Sequence, residues 1–173
     1  MTAHMISFGA GQWRFHVRAA AVVRDADFVL LHRMADELFW ALPGGRVEVG
    51  ETAEVAVQRE MREELGAEVR VRGLQAVVEN YFMFQGRPQH GIELHFEVSL
   101  AEGSPLLRCE PFERIEDGGV GLNGDVASST RLLFQWFKVA DLELLDLRPA
   151  FLRQSLRADR NAGVQHFVQD DLR

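Results

Sequence analysis

The residues able to do chemistry crowd into one stretch, Gly45 to Ala67, which reads GRVEVGETAEVAVQREMREELGA. Glu60, Glu63 and Glu64 are spaced i, i+3 and i+4, so on a helix turning about 100° per residue they fall within one arc of roughly 100°. Like charges at these spacings repel by about 0.2–0.5 kcal/mol per pair in an isolated helix, and by more where water is partly excluded. Arg59 stands four residues before Glu63 and faces it, but one guanidinium does not neutralise three carboxylates. Converging hard oxygen ligands with open positions suit Mg²⁺, or Mn²⁺ by similar chemistry, held together with substrate phosphates. Just upstream, Gly44-Gly45 lets the backbone come close to the helix, so that a carbonyl can join the ligand set. The plain alternative for such a charge run is a solvated acidic helix face.

The elements that must position these groups are legible around them. Thr52 is placed to cap a helix, Glu54 lies in its first turn where acid is favoured, and Gly66 is a natural stop. Ala53, Ala56, Val57, Met61 and Leu65 give that helix a buried stripe directly beside the acids. Phe15 to Val23 and Phe28 to His32 read as a hairpin across the polar turn Arg24–Asp27. Trp40-Ala41-Leu42 is cut short by Pro43-Gly44-Gly45. Alternation continues from Val69 through Phe84, again over Ile92, Leu94, Phe96 and Val98, and finally over Arg131 to Val139. Pro149, followed by Phe151, Leu152 and Leu156, marks the start of a late helix. Strands outnumber helices, which predicts an α/β chain with a mixed sheet covered by a few helices. Residues 102–130 are glycine-rich and without period, and so are expected to be a long loop that serves substrate or dimer contacts or is partly mobile.

The full spacing is Gly45, five residues, Glu51, seven residues, Arg59-Glu60, an aliphatic residue, one residue, Glu63-Glu64, one residue, Gly66. It resembles the Nudix box, the signature of the Nudix hydrolases. Ala67 departs from it, standing where the family usually has a larger aliphatic residue. The resemblance extends to the preceding strands, to Leu42-Pro43-Gly44, and to Gln135-Trp136-Phe137 and Leu147-Arg148-Pro149. It implies an α/β/α sandwich around a mixed sheet, and hydrolysis of the pyrophosphate bond in a nucleoside diphosphate derivative. By the same resemblance, Glu60 and Glu64 are the principal metal ligands, Glu63 is a ligand or the base, and the Gly45 carbonyl completes the protein's share. Arg59 orients the glutamates and Glu51 supports the loop–helix junction. Glu116, Asp117 and Asp125 are rival bases. Arg33, at a strand end, is placed like residues that touch nucleotide in some relatives, against the reading of an ordinary surface arginine.

Composition bounds the rest. A chain of 173 residues, 47% hydrophobic and 26% charged, can bury a core without disulfide or structural metal, and is expected to form a single domain over residues 1–173. A net charge of −7 lacks the basic footprint of a long nucleic-acid binder but leaves room for small anionic substrates held through a bound cation, which the resemblance implies are small nucleotides. No signal-like or membrane-spanning run is visible, so a cytoplasmic location is expected, and one cysteine, Cys109, forbids an internal disulfide. Tyr81, Phe82 and Phe84 could stack a base or belong to the core. Glu93, His95 and Glu97 share a face that could line the site or be the polar outside of a sheet, and His90 is expected in a loop. A homodimer is possible. The competing functions are a nucleotide sensor or interaction module of the same fold without turnover, in which erosion of Arg59 or the glutamates is expected, and an isomerase that would need further acid, base or cysteine machinery.

Overall fold

The computed structural model describes residues 4–116, 129–158 and 163–173. Nine strands form one sheet: β1 (Ser7–Ala10), β2 (Trp13–Asp25), β3 (Phe28–Met34), β4 (Gly44–Arg46), β5 (Val69–Phe84), β6 (Arg87–Leu100), β7 (Phe112–Glu116), β8 (Thr130–Lys138) and β9 (Gln165–Asp170). The order is β7-β8-β3-β2-β6-β5-β9, with β1 and β4 also pairing with β2. The pairs β2–β6 and β5–β9 are parallel and all others antiparallel, so the sheet is mixed, as the strand-rich sequence predicts.

One long helix, α1 (Ala53–Leu65), covers one face. The Thr52 hydroxyl accepts from the Val55 N–H at 3.2 Å, and Gly66 ends the helix at φ 67°, a left-handed conformation open to glycine. Its stripe of Ala56, Val57, Met61 and Leu65 packs on Ala19, Ala21 and Val23 of β2 and on Phe96 and Val98 of β6. The opposite face is covered by the segment holding a 3-10 turn (Val139–Leu144) and α2 (Leu152–Ser155), where Leu142, Leu147, Leu152 and Leu156 pack on Ala20, Val22, Val29 and Leu31. Strand alternation therefore sends odd positions of β2 toward α1 and even positions toward α2.

Three expectations need correction. The stretch 102–130 is not all loop: Phe112–Glu116 forms β7 and pairs in register with Thr130–Phe134. The helix expected after Pro149 is present but barely more than one turn, Leu152–Ser155, with Phe151, Leu152 and Leu156 packed on the core. His90 lies in β6, stacked on Tyr81 with ring centroids 4.5 Å apart, rather than in a loop. No helix among the described residues is long and apolar enough to cross a membrane.

Candidate active site

β4 brings the glycine pair against the acidic side of α1. At Gly44 the backbone adopts φ 135°, and a Cβ there would lie 2.8 Å from the Ala20 Cα and closer still to the Ala19 carbonyl. Only glycine lets β4 approach β2 this closely. The Gly44 N–H donates to Glu64 Oε2 at 3.1 Å. One residue on, the space where a Gly45 Cβ would stand is bordered by the Glu60 carboxylate. Glu60 and Glu64 are thus buried, 4% and 3% exposed, and both are pressed to the glycine turn.

Arg59 organises the remaining acids. Its Nη1 donates to Glu60 Oε1 at 2.8 Å and to Glu63 Oε2 at 3.0 Å; its Nη2 donates to Glu51 Oε1 at 2.8 Å and to the Arg46 carbonyl at 3.0 Å. Glu51 Oε1 also accepts from the Glu48 N–H at 2.8 Å, which ties the loop before α1 to the same guanidinium. Burial works against the charge on Arg59, but the Glu51 hydrogen bond and the Glu60 charge outweigh it and raise its pKa. Burial pushes the Glu60 carboxyl up, with Arg59 and then Arg18 drawing it back. In Glu51 the pull of Arg59 overcomes burial and the pKa is lowered. Glu63 stands at the rim with its side chain 53% exposed.

The structure therefore brings Gly45, Glu51, Arg59, Glu60, Glu63 and Glu64 together. It does not add Arg33, whose guanidinium donates to the Glu37 carbonyl and lies 5.3 Å from the Trp40 ring. Glu116 is the last residue of β7, while Asp117 and Asp125 lie outside the described residues. Among the described residues no three His, Cys, Asp or Glu side chains form a ready metal cluster, since Arg59 is interposed between Glu60 and Glu63. The donor chemistry nonetheless fits a hard divalent cation. Buried carboxylate oxygens face a backbone that carries no side chain, and Glu60 Oε2 has no hydrogen bond among the described residues.

One group escaped the sequence reading, and the surroundings of a second were left open by it. His32 places Nδ1 3.7 Å from Glu64 Oε2. Burial and the charge of Arg18 lower its pKa to about 3, so it faces Glu64 as a neutral ring. Its one legible signal was its place at the end of β3, next to Arg33. Glu93 and His95 are not on a solvated face: both are buried, hydrogen-bonded to each other at 3.1 Å, and Glu93 accepts from Asn80 Nδ2 at 2.6 Å. Burial opposes the Glu93 charge, but His95, Arg18 and Asn80 together hold its carboxyl well below the usual range. Of the aromatics, Phe82 lies edge-on to His16 at 6.2 Å, and Tyr81 joins Phe8, Trp13, Phe15 and His90 in an aromatic cleft of about 320 Å³ on the α1 side of the sheet.

Comparison with known proteins agrees with this architecture. A family model described as the NUDIX domain matches residues 14–158. A MutT-like protein of Streptomyces ambofaciens is 40% identical over 81 residues, covering 43% of this chain and 53% of its own. The CTP pyrophosphohydrolase of Escherichia coli is 32% identical over 108 residues, covering 58% of this chain and 78% of its own. Among solved structures, a MutT NUDIX hydrolase from Burkholderia pseudomallei superimposes with a TM-score of 0.57 at 25% identity, over 82% of this chain and 95% of the other. The chain spans about half the length, or less, of the first curated relatives it matches.

Proposed function

The chain belongs to the Nudix family, and we propose that it hydrolyses the pyrophosphate bond of a small nucleoside diphosphate derivative (a nucleoside triphosphate, NDP-sugar or dinucleotide) in a cytoplasmic setting. The observation that carries this reading is the pair of buried carboxylates, Glu60 and Glu64, pinned between Arg59 and the Gly44-Gly45 turn. Charged groups are rarely buried without use or partner, and here Arg59 leaves Glu60 Oε2 without a hydrogen bond among the described residues, beside a backbone that carries no side chain.

Glu60, Glu64 and the Gly45 carbonyl would hold Mg²⁺, or Mn²⁺, with Glu63 as a further ligand or as the base. When bound, such an ion neutralises the diphosphate and lowers the pKa of the attacking water. The protein's own part is positional. Arg59 holds Glu60 and Glu63 near each other against their repulsion, and Glu51 fixes Arg59 by two hydrogen bonds. Glu63, at the solvent rim, can accept a proton from water and return it to bulk. Neutral His32 abuts Glu64 without adding a competing positive charge. The intact Arg59 network, which costs stability if unused, favours turnover over the nucleotide-sensor alternative.

The test is a panel of NTPs, dNTPs, NDP-sugars and dinucleoside polyphosphates assayed with Mg²⁺ or EDTA, with Glu64→Gln as control and coupling enzymes that separate pyrophosphate from phosphate. Metal-dependent turnover abolished in Glu64→Gln is the expected result. Nucleotide binding without turnover of any member would transfer the assignment to the sensor. Homodimerisation is a separate part of the proposal, and a sedimentation mass of about 20 kDa, the monomer value, at micromolar concentration would overturn it.

A further inference from the structure

The sheet face turned toward α2 carries a column of positive charge. Arg14, His16 and Arg18 alternate along β2, so they share the face of Ala20 and Val22. Arg46 of β4 pairs directly with Arg18 and so shares that face too. Like charges placed opposite each other across a strand pair destabilise a sheet. Among the described residues Arg14, Arg18 and Arg46 make no salt bridge, although the charges of Glu93 and Glu60 act on Arg18. Glu93, the acid opposite Arg18 in β6, is already engaged by Asn80 and His95. Arg18 donates only to the Leu42 carbonyl at 3.1 Å, and Arg46 makes a 4.0 Å contact with the Met5 sulfur.

Two donor-bearing atoms in this column are buried with no partner at all, Arg14 Nε and His16 Nδ1. His16 is 5% exposed, lies over Gly91 and holds its place only because that residue has no side chain: a Cβ there would stand 2.8 Å from His16 Nε2. Burial, with Arg46 next, lowers the His16 pKa to about 4, so the ring is neutral at pH 7. In a protein of net charge −7, three adjacent guanidiniums, none of them in a salt bridge among the described residues, mark a place kept positive for an anion from outside.

The column also has a direction. Arg46 follows Gly45, and its carbonyl accepts from Arg59, so one end adjoins the glutamates. From Arg18 the column runs four residues down β2 to Arg14, about 13 Å. That reach exceeds a single phosphate and suits several in line.

We propose that Arg14, Arg18 and Arg46, with His16 beside them, form an oligophosphate-binding row that grips the phosphates lying beyond the bond being cut. The substrate class is then a nucleotide with three or more phosphates in line, rather than a diphosphate capped by a neutral sugar. This rests on the hydrolase reading for the bond being cut, but the row itself is a binding site and is testable without turnover.

The test uses the full chain in EDTA and isothermal titration with inorganic tripolyphosphate and pyrophosphate. Arg14→Ala should weaken tripolyphosphate binding about tenfold or more, the loss of one charge-assisted hydrogen bond, and pyrophosphate binding less than threefold. Arg14→Lys, which keeps the charge, should recover most of it. Arg70→Ala, removing an exposed arginine of β5, should change neither. Equal binding by wild type and a folded Arg14→Ala, or equal weakening by Arg70→Ala, overturns the row. A second arm measures turnover with Mg²⁺, where the ratio of kcat/KM for nucleoside triphosphate over NDP-sugar should fall about tenfold in Arg14→Ala. Turnover with an unchanged ratio refutes the row and leaves the hydrolase standing. Absent turnover with tripolyphosphate binding still sensitive to Arg14 refutes the hydrolase and leaves the row. Comparing a nucleoside triphosphate with a dinucleoside tetraphosphate then tells which source of in-line phosphates the row serves.

Discussion

Gly44 and Gly45 are neighbours, yet replacing each by alanine should break different things. At Gly44 the new Cβ meets backbone, the Ala19 carbonyl and the Ala20 Cα, and φ 135° is itself closed to alanine. Backbone strain of about 1–3 kcal/mol and overpacking of similar size add, so Gly44→Ala should lose about 2–6 kcal/mol of stability. At Gly45 no positive φ obstructs alanine, and the atoms nearest to the Cβ all belong to the Glu60 carboxylate. That carboxylate must swing aside and give up its hydrogen bond from Arg59, at a cost of about 1.5–3 kcal/mol. The reduced freedom of the unfolded chain offsets about 0.4–1 kcal/mol of this, leaving a net loss of about 1–2 kcal/mol. Activity should reverse the ranking: displacing Glu60 by about 1 Å should lower kcat/KM about a hundredfold in a protein that is still folded. Urea unfolding and Mg²⁺-dependent hydrolysis of the best substrate measure the two quantities. A Gly45→Ala variant with wild-type kcat/KM would refute the pairing of Glu60 with the glycine turn as the working site. A Gly45→Ala variant less stable than Gly44→Ala would refute the packing argument.

Arg59→Gln should destabilise the fold by about 3 kcal/mol, because it leaves Glu60 buried without its cation; Arg59→Lys should recover less than half, and urea midpoints with unchanged m-values would show it. Mg²⁺ at about one hundred times its Kd should stabilise the wild type by about 2.7 kcal/mol in thermal unfolding, and should stabilise Glu60→Gln or Glu64→Gln far less. His16 gives a pH signature. Its folded pKa of about 4 lies below the unfolded value of 6.5, so the unfolded chain binds the extra proton first. Its contribution is full above pH 6.5 and is lost as pH falls toward 4, reaching about 2 kcal/mol at pH 5. Calorimetry at pH 7 and pH 5 should show that loss in the wild type and not in His16→Gln; equal losses in both would refute the assignment.

Much of this was legible because it is local. Thr52, Gly66 and the stripe from Ala56 to Leu65 specify α1 within one window, and the acids beside the stripe follow from helical geometry alone. The turn Arg24–Asp27 announces the β2–β3 hairpin in the same way. What escaped depends on partners far along the chain. β9, Gln-His-Phe-Val-Gln-Asp, is a strand only because β5 offers it a parallel edge, and its own alternation leaves Val168 exposed. β7 sits within a glycine-rich stretch and is a strand because β8 lies beside it. Glu93 and His95 read equally well as lining the site or as an outer face, since a sequence does not show that Phe151 will stack over His95 at 5.9 Å and close that side. The arginine column was equally hidden: Arg14 and Arg18 are near in sequence, but Arg46 joins them only through the register of β4.

The pairing of β2 has a bearing on how the chain is made. β2 is joined to β6 in parallel, Arg14 with Gln89 through Val23 with Val98, so its partner leaves the ribosome about 75 residues later. At about 5–20 residues per second, that interval is about 4–15 s. Throughout it, α1 can form and rest on the β2–β3 hairpin, but Phe96, Val98 and Leu100, which complete its core, do not yet exist outside the tunnel. The backbone edge of β2 that β6 will pair, Arg14 to Val23, meanwhile stands open in a crowded cell. The nascent protein is therefore most vulnerable to chaperone capture, or to pairing with a neighbouring chain, during the synthesis of β5 and β6.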